Sequence, residues 1–348
     1  MFRILPAAVA MVFLFSCATI PQLNFDIKQI SATTETEPVS GFGDILDDPA
    51  IWVHPARTEH SLILGTNKNE GLHVYSLNGK ELQFLDVGRI NNVDIRGSIA
   101  VASNDEVNGL SWFKIRDIDG TVSHIGDTLV DRIEPYGVCL GMIDGALTAA
   151  VTYKDGAIEF WETNFADTSS PHAKLVQTKH FSSQLEGCVF DDNESMIFIG
   201  EETVGIWALD VGVADTQPGL IDRVNSGSGL TADVEGLSLW RGQQGHGYLV
   251  ASAQNADQFV VYNRQPPYSP QGVFRIGPGE SSQSDAVTHT DGLDISSMAV
   301  TGYPRGLMVV HDDGNPAPKQ NQNFKLIDWS SVEQILDLSP QTPETILH

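Results

Sequence analysis

The chain has 348 residues, 32 of them glycine, and a formal net charge of −25 from 45 acidic side chains against 20 Lys and Arg. That balance excludes the basic patches on which nucleic-acid binding rests and disfavours docking on anionic lipid. The length suits one large core, and the glycine content suits a turn-rich β protein.

The first element, residues 1–17, reads as a targeting segment. Arg3 precedes an apolar stretch over 7–15 that is short for a membrane span. Leu14-Phe15-Ser16-Cys17 resembles the cleavage box of bacterial lipoproteins, in which the cysteine becomes the lipidated first residue. The expected location is outside the cytoplasm, either as an outer-membrane lipoprotein anchored at Cys17 or as a periplasmic or secreted protein. Export permits disulfides. Of the three cysteines, Cys139 and Cys188 then remain, and a pair or two buried thiols both fit.

Residues 23–36 hold a spare strand-like segment over 24–31. Residues 37–335 then carry one sentence six times. Each repeat opens on an inner-strand phrase: Asp47-Asp48-Pro49-Ala50, Asn91-Asn92-Val93-Asp94, Pro135-Tyr136-Gly137, Leu185-Glu186-Gly187, Val234-Glu235-Gly236 and Thr290-Asp291-Gly292. Aligned on Ala50, Asp94, Gly137, Gly187, Gly236 and Gly292, the intervals are 44, 43, 50, 49 and 56 residues. Strand-built repeats of this length are the mark of propeller blades.

A second apolar strand in each repeat ends in small and polar residues, as at Thr66-Asn67-Lys68 and Gly200-Glu201-Glu202. A third strand is aromatic or β-branched. A fourth, more polar strand is legible at 81–87, 172–181 and 272–276. Asn78-Gly79 and Asp119-Gly120 are two-residue hairpin signals. The sixth repeat lacks a fourth strand after Trp329, where a helical pattern over 331–336 and a tail over 336–348 follow. The spare segment at 24–31 is predicted to fill that vacancy. The fold class is all-β, a six-bladed β-propeller closed by an N-terminal strand.

A propeller brings equivalent positions to one depth around its axis. The column before each alignment point reads Pro49, Val93, Tyr136, Glu186, Glu235 and Asp291, with Asp47, Asp48 and Asp233 nearby. The column ending the second strand reads Lys68, Asp105, Lys154, Glu202, Gln254 and Asp313. Asp47, Asp48, Glu186, Glu202, Asp233, Glu235 and Asp291 should therefore meet at one mouth of the channel. Like charges in close quarters raise each other's pKa or recruit cations. The donors are all oxygen and lack zinc spacing, which suits Ca²⁺. Lys68, Lys154 and Tyr136 in the same rings suggest an anion bridging metals, and phosphate fits. A single such carboxylate would read as a turn residue; acids in matching columns of four repeats do not. Asp117-Ile118-Asp119-Gly120-Thr121 matches a phosphatase nucleophile motif but falls on a hairpin, outside the α/β context that motif needs.

In this order, Asp47-Asp48-Pro49-Ala50-Ile51-Trp52, Thr66-Asn67-Lys68, Asn91-Asn92-Val93-Asp94-Ile95-Arg96, Glu186-Gly187, Thr290-Asp291-Gly292 and Asn323-Phe324-Lys325 resemble the β-propeller phytases, calcium-dependent enzymes with six blades. The resemblance implies a calcium-dependent phosphomonoesterase that releases phosphate from phytate through a metal-activated water, with no covalent enzyme intermediate. It implies Asp47, Glu186, Glu202, Asp233, Glu235, Gln254 and Asp291 as ligands of a catalytic calcium cluster, with Glu202 or another ring carboxylate orienting the water. Asp48 resembles a structural calcium ligand, and Asp285 with Asp313 another site tying the last blade. Lys68, Tyr136 and Lys154 resemble phosphate contacts, and Asp155 stands where the family has Glu. The implied partner is calcium phytate taken by a monomer, with no nucleic acid. Three residues depart from the pattern: Asp105 replaces a phosphate-clamping Arg, His289 replaces an acid, and Asn315 lies where an acid is expected. Asp105 keeps a non-catalytic ligand-binding propeller in view, and a calcium-dependent lactonase is the other alternative.

Overall fold

In the computed structural model, residues 25–344 are described apart from 42, 166–170, 280–283 and 317–318. The targeting segment and Cys17 lie outside the described residues.

Six four-stranded antiparallel units surround one axis. Blade one runs Leu46–Trp52, Leu62–Asn67, Gly71–Ser76 and Glu81–Asp86 from the axis outward. Blades two to five repeat that order from inner strands Ile90–Arg96, Pro135–Ile143, Leu185–Asp191 and Val234–Arg241. The outermost strands foreseen at 81–87, 172–181 and 272–276 form at Glu81–Asp86, His172–His180 and Pro270–Gly277. Blade six combines Leu293–Ser296, Leu307–Asp312 and Asn323–Asp328 with an outer strand from the other end of the chain. The inner strands pack in a closed cycle, the sixth against the first.

The N-terminal segment divides its work differently from the expectation. Ile27–Ser31 does not fill the sixth blade. It adds in parallel to the outer edge of blade five, Ile27 opposite Val273 and Ser31 opposite Gly277. Thr34–Glu35 instead closes blade six, antiparallel to Asn323–Asp328. Both open edges are thereby capped by one short run of chain. The foreseen helix forms as Trp329–Ile335, with the Asp328 side chain accepting from Ser330 N–H at 3.0 Å. The tail is pinned: Tyr248 donates to Ser339 O at 3.0 Å and Glu344 N–H to Arg241 O at 3.0 Å.

The second and third strands of every blade are buried on both faces, so they read as continuous apolar runs. Their side chains gather between neighbouring blades, not inside one. One cluster joins Leu64, Val74 and Trp52 of blade one to Ile95, Ala100 and Phe113 of blade two. Equivalent clusters fill the other junctions, the last uniting Ile51 and Tyr75 with Val309 and Phe324 across the closure. Burial thus stabilises the angular spacing of blades, which sets where the rings of side chains fall.

Candidate metal and phosphate site

Strand pairing slips at the same place in five blades. The breaks fall between Leu46 and Pro49, Ile90 and Val93, Pro135 and Val138, Leu185 and Cys188, and Val234 and Leu237. A bulge of this kind frees two residues from the ladder and re-aims a side chain. The freed pairs are Asp47-Asp48, Asn91-Asn92, Tyr136-Gly137, Glu186-Gly187 and Glu235-Gly236; Asp291-Gly292 precedes the sixth inner strand in the same way. The inner ring is therefore Asp47, Asn91, Tyr136, Glu186, Glu235 and Asp291. This corrects the sequence column, which placed Pro49 and Val93 there. Asp48 and Asn92 occupy the glycine position in the first two blades, so aligning on Ala50 and Asp94 shifted those blades by two. The outer column needs no change: Lys68, Asp105, Glu202 and Gln254 each donate a backbone N–H to the residue preceding their inner strand, at 2.7, 2.8, 3.2 and 3.1 Å.

The glycines let these strands touch. A Cβ on Gly187 would lie 1.9 Å from Glu235 O, and one on Gly137 would lie 2.1 Å from Glu186 O. At the closure, Gly292 N–H donates to Asp47 O at 3.1 Å, and a Cβ there would meet Asp48 Oδ1 at 2.0 Å. Any side chain at these positions would push one acid away from the next.

Glu186, Glu202 and Glu235 present carboxylate oxygens within 4.8 Å of one another. All are buried, and Asp47 is wholly so. Both Asp47 oxygens, Glu186 Oε2, Glu202 Oε1 and Glu235 Oε2 have no hydrogen-bond partner. Burial, with Glu235 beside it, pushes Glu186 well above the usual carboxylate range. Burial lifts Glu235 to about 8. Glu202 is raised by burial and by Asp233. Asp47 is raised by burial too, although Lys68 counters it. Unpartnered buried carboxylate oxygens in one cavity cost free energy unless protons or a cation satisfy them. An all-oxygen donor set of this kind fits a hard divalent cation.

The Lys68 ammonium sits among the acids of the ring. Lys68 Nζ lies 2.9 Å from Asp291 Oδ2, 3.0 Å from Asp44 Oδ1 and 3.7 Å from Asp47 Oδ2. Burial opposes its charge, but Asp47, Asp291 and Asp44 outweigh that and raise its pKa. Gln254 Nε2 donates to Asp291 Oδ1 at 2.5 Å. Burial works against the Asp291 charge; His311 and Lys68 more than offset it and hold the carboxyl below its usual value. Asp44 and His311 were missed by the repeat reading. Asp44 lies ahead of the first repeat, and buried His311 accepts from Asp291 N–H at 3.3 Å without belonging to either column.

Across the ring, Lys154 Nζ stands 4.4 Å over the Tyr136 ring. Burial and the nearby Glu186 raise the Tyr136 hydroxyl's pKa, so it remains a proton donor. Asp233 accepts from Asn255 Nδ2 at 3.4 Å. Asp155 points elsewhere, pairing with Arg132 and accepting from Ala157 N–H at 3.1 Å. Asp105 keeps one buried oxygen without a partner. Asp48 sits below the ring, its Oδ2 accepting from Val93 N–H at 3.1 Å, its pKa raised by burial and by Asp47.

Asp285 and Asp313 have different partners. Asp313 accepts from Gln322 Nε2 at 2.5 Å. Asp285 accepts from Lys325 Nζ at 2.6 Å, and the same ammonium meets Glu35 at 2.5 Å, Asn315 Oδ1 at 2.9 Å and Asp312 at 3.1 Å. A lysine thus sits among the last blade's acids and ties the closing strand to them. His289 contributes its backbone N–H to Asp257 Oδ1 at 2.8 Å.

Comparison with known proteins agrees with the architecture and the chemistry. A family model described as Phytase matches residues 2–346. A 3-phytase of Bacillus subtilis (strain 168) is 34% identical over 334 residues, 90% of this chain and 86% of that protein. Among solved structures, the WD40 repeats of RRP9 superpose at TM-score 0.50 and 11% identity, covering 84% of this chain and 83% of theirs, a likeness of fold alone.

Proposed function

The chain belongs to the phytase family and is a phytate-hydrolysing phosphatase; we propose that it works with calcium held by the acidic ring. This replaces the lactonase and non-catalytic readings. The observation that carries the metal assignment is the set of buried, unpartnered oxygens on Asp47, Glu186, Glu202 and Glu235. With Asp291, Gln254 and Asp233 they form the donor set. Bound there, calcium would neutralise substrate charge and make a water acidic enough to attack phosphorus.

The chain's own residues do the rest. Lys68 keeps its charge, and its ammonium supplies a cation to equatorial phosphate oxygens as their charge develops. The Tyr136 hydroxyl keeps its proton and can donate to a phosphate oxygen. Lys154, seated on the Tyr136 ring, adds a second cation on the opposite side of the mouth. Burial of the Glu186–Glu202–Glu235 group excludes bulk water from its inner face and strengthens every charge interaction there.

Phosphate release from phytate, measured after chelation and after calcium return, tests the assignment. Activity should vanish and recover, and calcium should raise the melting temperature by mass action. Full activity in excess chelator would overturn it. The Cys139–Cys188 bond supports export. Metabolic labelling with palmitate should mark Cys17; an exported, unlabelled protein would make ordinary secretion the answer.

A further inference from the structure

We propose that the Cys139–Cys188 disulfide is a positioning bond for the acidic ring, setting metal affinity and not merely holding the fold together. The inference rests on the calcium reading above. The bond joins the inner strands of blades three and four, with Cα atoms 5.8 Å apart. Cys139 lies three residues after Tyr136, and Cys188 two after Glu186. It therefore clamps the two strands immediately beyond the bulges that aim those side chains.

Three other junctions are tied at the ring by backbone hydrogen bonds, whereas this one relies on a hydroxyl. The junction of blades two and three does likewise, Ser103 Oγ accepting from Asn92 N–H at 3.1 Å and donating to Tyr136 O; here the disulfide accompanies the hydroxyl. At the ring, blades four and five share the bond from Val234 N–H to Glu202 O, 3.0 Å. Blades five and six share Gly236 N–H to Asp291 O, 2.8 Å, and blades six and one share Gly292 N–H to Asp47 O, 3.1 Å. Blades three and four are linked there through a side chain: Thr152 Oγ1 accepts from Gly137 N–H at 2.9 Å and donates to Glu186 O at 2.8 Å. One hydroxyl is a soft tie, and it carries the strand whose Glu186 is crowded by both Glu202 and Glu235. Without a cation Glu186 Oε2 has no partner, so nothing in the ring holds that oxygen against displacement outward, toward blade three. The covalent bond resists the displacement, so the site stays in register before a cation arrives.

Without the crosslink, only a fraction of metal-free molecules would hold Glu186 in place, and apparent affinity falls by that fraction. The test compares the wild type with the Cys139→Ala/Cys188→Ala double variant. Calcium is titrated calorimetrically in phosphate-free buffer, at a temperature where both are folded. The expected result is affinity weaker by about tenfold, corresponding to one molecule in ten in register. Phytate turnover should then fall at limiting calcium and recover at saturating calcium. Equal affinity in the two proteins, with the melting temperature lowered alike in chelator and in calcium, would assign the bond a purely structural role and overturn the proposal. Should the double variant not fold, wild type reduced with dithiothreitol and kept under reductant replaces it, with the same two outcomes. A wild type that binds no calcium would remove the metal reading and this inference together, whereas binding that ignores the disulfide removes this inference alone.

Discussion

The two mouths of the channel use the same kinds of residue to opposite ends. At the far mouth, a cavity of about 540 Å³ is lined by Asp94, Asp191, Asp192 and Asp294 with Arg96, Arg241 and Arg264. There the chain itself satisfies the acids. Asp191 receives Arg264 in two bonds of 2.5 Å, and Asp192 receives Arg96 at 3.0 Å. Asp94 accepts Leu140 N–H at 2.7 Å, and Asp294 accepts Ile51 N–H at 2.8 Å. At the mouth of the proposed catalytic site, Glu186, Glu202, Glu235 and Asp47 keep buried oxygens with no donor. Burial alone thus does not mark a site. What distinguishes the candidate site is the convergence of several buried oxygens without a donor, whereas each acid named at the far mouth has one.

The sharpest way to break this contrast is to remove a donor at the far mouth. Arg264→Ala strands the fully buried Asp191 and should cost ~3–5 kcal/mol in denaturant unfolding, with turnover per folded molecule retained. At the catalytic mouth the sign should reverse. Glu186→Ala should cut phytate turnover by roughly 10²–10³-fold, the scale of losing one electrostatic contact to the transition state. In chelator, however, it should melt no lower than wild type, because a buried carboxyl oxygen with no partner has gone. Wild-type turnover in Glu186→Ala, or unfolding in chelator as severe as that of Arg264→Ala, would show that the two mouths are not different in kind.

Much of this was legible in the sequence, and the losses have identifiable causes. The six-fold repeat survives because each blade must bury two apolar strands and begin again, so strand composition recurs. The acids at Glu186, Glu235 and Asp291 were legible because each precedes a glycine that the next strand requires. Blades one and two broke that rule with Asp48 and Asn92, and only the ladder reveals the bulge that realigns them. The N-terminal strand was misplaced because a parallel edge pairing has no local signal. The sequence marked one spare strand over 24–31, with no separate sign of Thr34–Glu35, and the choice of blade is made by packing of Ile30 and Ala32 between blades five and six. Partners such as Asp44, His311 and Arg132 lie outside the columns, and their contacts arise from tertiary geometry alone.

Protonation offers a smaller test of the same contrast. Burial holds Glu235 at about 8 in the folded chain, against 4.5 for an ordinary Glu. Between those values the folded state keeps a proton that the unfolded state has released, so metal-free stability should fall as pH rises through the window. Asp94, raised by burial to about 6, adds to the lower part of that slope. On the proposed calcium reading a bound cation would displace the ring's protons, so the upper part should flatten on adding calcium while the Asp94 part stays. A metal-free protein whose melting temperature rises from pH 5 to pH 8 would contradict the assignment.

The smallest expected effect separates a rim pair from a substrate contact. Asp155 is a substrate-binding candidate by its place beside Lys154, yet its carboxylate pairs with Arg132 and its side chain is 56% exposed. Removing it should not strand the arginine. Arg132 Nε keeps Glu159 at 3.4 Å, and its guanidinium lies 5.3 Å from the Tyr153 ring centre. Asp155→Ala should therefore change stability by less than about 1 kcal/mol, the range of exposed ion pairs. It should leave the phytate KM within about twofold, since uniform binding lost from a real contact would raise KM further. A tenfold rise in KM at unchanged kcat would instead put Asp155 against the substrate and extend the catalytic mouth outward onto blade three.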